Sequence, residues 1–197
     1  MEALEAIRFR RSTRKFKQEA IPDEVLQKII ESGRLAPCGG NSQTAHFIVI
    51  RSQKVLNELA GLVCETFAKM EIKPDTYKSL QTAIKLSKKG NFVFHYNAPV
   101  LIVTANKIGY GNAMADCACA VENMMIAANA LDLGSCYVNQ LHWLDDNADV
   151  RRYMASLGLG EDETICASLV IGKPDTRDGL PIRTERTITG NRVGFID

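Results

Sequence analysis

Residues 112–138 read NAMADCACAVENMMIAANALDLGSCYV. Seven alanines and the adjacent Met124 and Met125 make residues 112–133 the longest helix that the chain predicts, and its charges are few: Asp116, Glu122 and Asp132. A helix apolar on most faces belongs in the middle of a domain or in an interface between subunits. Gly134 reads as its glycine stop, and residues 135–138 as a short strand.

Outward from this unit, HFIVI at 46–50 reads as a strand. Pro99 opens a second, VLIVTA, too continuously apolar for a one-sided sheet and therefore central and buried. Residues 165–171 are a third apolar strand. Helices are predicted over 2–9, with Leu4 and Ile7 on one face, and after Pro22, where Asp23 and Glu24 suit the positive end of the dipole. Val25, Leu26, Ile29 and Ile30 give the latter its core stripe, and it stops before Pro37. Ser52 caps a helix to about Met70 with Leu56, Leu59, Leu62, Val63 and Phe67 inward. Residues 75–89 form a weaker helix anchored by Leu80, Ile84 and Leu86, and Asp145 or Asp146 starts one that ends at Gly158. RVGFI at 192–196 reads as a last strand, open to donation to a neighbour. Without repeats, linkers or low-complexity stretches, residues 1–197 are expected to form one α+β domain.

Composition narrows the function. Of 197 residues 46% are apolar and 24% charged, the balance of an ordinary globular protein, and the formal net charge is +1. Yet residues 8–17 hold six basic side chains and no acid, leaving 18 basic against 23 acidic elsewhere, a net of −5. A protein that is basic overall is excluded, while local anion binding stays open, and a nucleic-acid-binding module using residues 8–17 remains an alternative. Arg and Lys interrupt the first 30 residues from position 8 onward, so no signal peptide is read. The most apolar stretch, residues 98–103, falls far short of the ~20 residues that span a bilayer. A cytoplasmic location follows as the expectation, with Cys38, Cys64, Cys117, Cys119, Cys136 and Cys166 as free thiols. No CxxC occurs, and His46, His95 and His142 lie far apart, so no metal site is expected.

Two segments carry chemistry. Arg10-Arg11-Ser12-Thr13-Arg14 puts three forked guanidiniums and two hydroxyls within five residues, a donor set suited to a phosphate monoester. The alternatives are a solvated basic loop or an address signal. Lys15 and Lys17 read as solvated, with Phe16 between them as a core anchor. In Ala36-Pro37-Cys38-Gly39-Gly40-Asn41-Ser42-Gln43, two glycines permit close backbone approach, and Asn41 and Gln43 offer donors and acceptors to a heterocycle edge. Here the alternative is an ordinary loop with an Asx turn. A Cys38 nucleophile served by His46 or His142 finds no further support. No GxGxxG and no P-loop is present, so neither a Rossmann site nor a Walker site is read. Phe92, Phe94, His95 and Tyr96 form an aromatic cluster that is either pocket wall or core.

RRSTRKF followed by LAPCGGNSQ resembles the nitroreductase-like FMN-dependent oxidoreductase family, which typically reads RRSxRxF and then APSxxNxQPW. NAPVLIV at 97–103, DCACAVENMMIAANALDLGSCY at 116–137 and SLVIGKP at 168–174 are similar to three further family blocks, in the same order. The resemblance implies an α+β fold with a central, mostly antiparallel sheet flanked by helices. It implies a homodimer with a long central interface helix and FMN bound at two sites across the interface. It implies ping-pong hydride transfer from NADH or NADPH to a nitroaromatic, quinone-like or other small conjugated acceptor.

Carried over by residue, the resemblance gives the FMN phosphate and ribityl chain to Arg10, Arg11, Ser12 and Arg14. Asn41 and Gln43 go to the isoalloxazine or ribityl edge, and Cys136, Tyr137, Val138 and Asn139 run past the flavin. Arg183 or Arg186 completes the phosphate site, with Arg186 preferred. No catalytic side chain or metal is implied, because the flavin carries the chemistry. The chain departs from the pattern at Thr44-Ala45, where Pro-Trp is usual, at Cys38, where Ser is common, and at residues 138–140, where glycines are common. Other flavin chemistry (dehalogenation, flavin breakdown) and FMN binding without turnover are the alternatives.

Overall fold

Residues 1–196 are described by a computed structural model. Along the chain run α1 (Ala3–Phe9), α2 (Asp23–Arg34), a short 3-10 turn (Gly39–Asn41), β1 (His46–Ile50), α3 (Gln53–Ala68) and α4 (Lys78–Ser87). They are followed by β2 (Val100–Lys107), α5 (Ala113–Ala130), β3 (Gly134–Val138), α6 (Gln140–Trp143), α7 (Ala148–Ser156) and β4 (Glu163–Gly172). The strands form one sheet in the order β1-β2-β4-β3, and every ladder is antiparallel. No helix among the described residues is long and apolar enough to cross a membrane.

Alternate residues of a strand face opposite sides of its sheet. Leu101 and Val103 of β2 and Val170 of β4 pack with Leu56, Val63 and Phe67 of α3 and Met154 of α7. Ile102 of β2 and Leu169 and Ile171 of β4 pack on the other side with Leu26 and Ile29 of α2 and Val121 and Met124 of α5. Because both faces are covered, β2 is buried from Val100 through Asn106, as its unbroken apolar run predicts.

Several local expectations shift. Gly134 does not stop α5. Asp132 takes the left-handed conformation (φ 62°), and the Leu133 N–H donates to Ala128 O at 2.8 Å, closing a Schellman turn. Arg183 completes this cap by donating to Asn129 O at 2.7 Å and to Asp132 Oδ1 at 2.6 Å. The helix predicted from Asp145 or Asp146 starts at Ala148. There Asn147 Oδ1 accepts from the Asp149 and Val150 N–H groups. Asp145 is committed elsewhere, accepting from Arg151, from the Thr164 hydroxyl and from the Ile165 N–H. In α4 the inward stripe is Ala83, Ile84 and Ser87, and Leu86 is exposed. RVGFI forms no strand with the rest of its own chain; Val193, Phe195 and Ile196 are 77% to 100% exposed.

Of the aromatic cluster, Phe94 and His95 are fully buried core. Neither ring nitrogen of His95 has a hydrogen-bond partner, and burial holds its pKa below the ordinary histidine value. The unfolded chain, with a pKa of about 6.5, therefore takes up a proton that the folded one resists. This contribution to stability is complete above that value and drains away as pH falls through it. Urea unfolding from pH 7.5 to 5.5 is expected to show stability falling, and a His95→Leu variant to show a flatter dependence. Parallel slopes would assign the effect to another group.

Candidate functional site

After α1 the chain crosses the end of the sheet. The Thr13 N–H donates to Ser135 O at 2.9 Å, Ser12 bridges Ser135 in parallel, and Phe16 bridges Pro174. Gly134 makes this crossing possible: a Cβ there would lie 2.6 to 2.7 Å from the Thr13 side chain. The crossing sets the arginine segment beside β3. Burial raises the Cys136 thiol's pKa, while Arg14, Ser12 and Arg10 act on it in the opposite sense. Within β3, Cys136 and Val138 point inward, Tyr137 is about one-third exposed, and Asn139 follows where the strand gives way to α6.

The arginines form one wall of a cleft of about 790 Å³. Arg10, Arg11, Ser12 and Arg14 line it together with Arg186 and residues 188–191 of the tail. Arg8 and Glu185 pair across the rim. Arg11 Nη1 donates to Arg8 O and Arg10 O, and Arg10 Nε lies 3.6 Å from Glu122 Oε1. Arg10 Nη1 and Arg11 Nη2 are buried with no hydrogen-bond partner. Buried guanidinium donors are costly to leave unmatched, so this wall is built for an anion with several acceptor oxygens. At the β3 end, Asn139 Oδ1 and Gln140 Oε1 are likewise buried and unpartnered. Of the two late arginines weighed from the sequence, Arg183 is committed to the α5 cap and only Arg186 reaches this cleft.

Asn41 and Gln43 lie elsewhere. Gln43 Nε2 donates to Asn41 Oδ1 at 3.0 Å, and the Gln43 N–H is 3.4 Å from Cys38 Sγ. Gln43 and Cys38 line a smaller cavity of about 370 Å³ with Ala45, Phe47 and Asp116. Within one chain, then, the amide pair and the arginine cleft are separate. Asp116, which meets the loop, and Glu122, which meets Arg10, are six residues apart on α5, about 9 Å along its axis. Nothing in the sequence gives Tyr110 or Glu185 a site role, and Asp116 and Gln140 stand out there only as a charge of the long helix and a departure from the family pattern. Only the fold brings these residues to the two regions.

The nitroreductase family model matches residues 7–173. A nitroreductase from Bacteroides fragilis, whose crystal structure contains bound FMN, superposes with a TM-score of 0.86 at 32% identity, covering all of both chains. A nitroreductase from Desulfitobacterium hafniense shares the fold over all of both chains, with a TM-score of 0.82 at 23% identity. A protein from Archaeoglobus fulgidus named "Putative NADH dehydrogenase/NAD(P)H nitroreductase" is 28% identical over 90% of this chain and 88% of its own length. Matched from α1 to the residue after β4, the chain belongs to the nitroreductase family.

Proposed function

We propose that the protein is an FMN-dependent oxidoreductase that takes hydride from NADH or NADPH and reduces nitroaromatic, quinone-like or other small conjugated acceptors. The observation that carries this reading is the pair of buried, unpartnered nitrogens, Arg10 Nη1 and Arg11 Nη2, in a cleft that Arg186 also faces. A phosphate dianion supplies both the acceptors and the charge that this wall lacks. FMN, bound in the Bacteroides fragilis relative, carries such a group, and when bound it supplies the hydride chemistry.

On this reading Arg10, Arg11, Ser12, Arg14 and Arg186 hold the phosphate end and thereby set the position of the rest of the cofactor. Cys136, Tyr137, Val138 and Asn139 run alongside it, with the buried Cys136 and Val138 keeping water from that side. Neither Asn41 nor Gln43 lines the arginine cleft of its own chain, and Gln43 lines a different cavity, so these amides serve a cofactor held by a second copy. Two features support that homodimer. The solvent face of α5 carries Met114, Ala115, Ala118 and Cys119, small and apolar for an exposed helix. The tail leaves Ile188, Val193, Phe195 and Ile196 uncovered.

The test is the absorbance spectrum of the purified protein, recorded before and after NADH or NADPH is added without oxygen. A yellow protein that bleaches is expected. A colourless protein that takes up no FMN would overturn the proposal.

A further inference from the structure

The loop that presents the amide pair is held in an unfavourable backbone conformation. Gly40, Asn41 and Gln43 all have positive φ, at 57°, 54° and 50°, and two of these three are not glycine. Glycine and, to a lesser degree, asparagine tolerate this region, but glutamine visits it rarely, and such an outlier persists where surrounding contacts over-determine it. Those contacts come from the turn before α5 and from its first turn. Asp116 Oδ1 accepts the Gly39 N–H at 3.1 Å, and the Tyr110 hydroxyl donates to Gly39 O at 3.1 Å, so both backbone groups of one residue are gripped. The same hydroxyl lies 3.2 Å from Ser42 Oγ. The fit is close: a Cβ on Gly39 would come within 2.2 Å of Asn112 Nδ2 and 2.5 Å of the Tyr110 oxygen. Asp116 is only 6% exposed, and its Oδ2 is buried without a partner. Asp116 stands in the first turn of α5, where the helix dipole favours an acid, and its one side-chain hydrogen bond goes to Gly39.

From this we infer that Asp116 and Tyr110 are positioning residues, which hold Gly39 so that Asn41 and Gln43 present their amides in fixed orientation to the cofactor ring edge. The inference rests on the FMN reading above. Neither residue touches the cofactor; each acts through the loop. What matters in Asp116 is then the acceptor oxygen rather than the charge. Asparagine keeps an acceptor for the Gly39 N–H and replaces the unpartnered oxygen with an NH2, whereas leucine removes the acceptor.

The experiment compares Asp116→Asn, Asp116→Leu and Tyr110→Phe with the wild type, by FMN titration followed by flavin fluorescence and by the visible spectrum of the loaded protein. Asp116→Leu and Tyr110→Phe are expected to weaken FMN binding by about tenfold and to move the bound spectrum toward that of free FMN. Asp116→Asn is expected to stay within about twofold with an unchanged spectrum. If Asp116→Leu fails to fold, Tyr110→Phe, which removes only a hydroxyl, decides. Wild-type affinity and spectrum in Tyr110→Phe, or an Asp116→Asn variant as impaired as Asp116→Leu, would overturn the positioning role while leaving the FMN reading intact. A wild type that takes up no FMN would overturn that reading, and this inference with it.

Discussion

Arg10→Ala combined with Arg14→Ala is expected to weaken FMN binding by roughly a hundredfold or more, leaving the protein largely colourless after purification. A hydrogen bond to a charged group contributes about 1.5–3 kcal/mol, so two lost contacts amount to about 3–6 kcal/mol if they are independent. The lower part of that range is the better expectation. The Arg10 side chain is only 23% exposed, so its contact is shielded from solvent. Arg14 is exposed, and its share is screened by water and salt. The measurement is flavin content after dialysis together with FMN titration at two salt concentrations. Lys15→Ala with Lys17→Ala serves as the control. These two side chains flank the buried Phe16 and do not line the cleft, so their removal should change affinity little. Unchanged occupancy in the arginine variant would show that the phosphate is held elsewhere.

Gly134→Ala is the second large effect, and it separates the crossing from the cleft. The new methyl group would sit within 2.7 Å of three Thr13 side-chain atoms, so the arginine segment must move away from β3. Overpacking of this kind costs about 1–3 kcal/mol. The displacement also carries Ser12 and Arg14, the chain neighbours of Thr13, and strains the hydrogen bond from the Thr13 N–H to Ser135 O. Both the melting temperature and FMN affinity should fall. Adding Thr13→Gly removes the colliding atoms and is expected to restore much of both, a coupling that a double-mutant cycle measures directly. A Gly134→Ala protein with unaltered flavin affinity would mean that the crossing does not set the arginine positions.

Gly134 also shows where a sequence reading reaches its limit. A glycine after a long helical pattern is a sound stop signal, yet here Asp132 adopts the left-handed turn and Gly134 makes room for Thr13. The partner that permits this is Arg183, which ties Asp132 and Asn129 from the tail. That tie also separates Arg183 from Arg186. Two arginines three residues apart look alike in sequence, and their tasks diverge because the open carbonyl end of α5 claims the first. Asn147 displaced Asp145 as a helix cap for a similar reason, since β4 passes close enough to use the Asp145 carboxylate.

Runs of like residues and local composition were enough to read several features of this chain. The apolar length of α5 and the buried character of β2 and β4 follow from runs of neighbouring residues. So does the concentration of anion-binding groups at residues 10–14, and their resemblance to a flavin-binding family. The tertiary structure alone decided which distant residues meet. It brought Arg186 to the same cleft as Arg10, gave Gly39 to Tyr110 and Asp116, and put Gln43 in a cavity separate from the arginine cleft. The physical reason is that hydrogen bonds and close packing act over a few ångströms between groups that the chain order does not make neighbours. A residue's type shows what it can bond; only the packed helices and sheet show what lies within its reach.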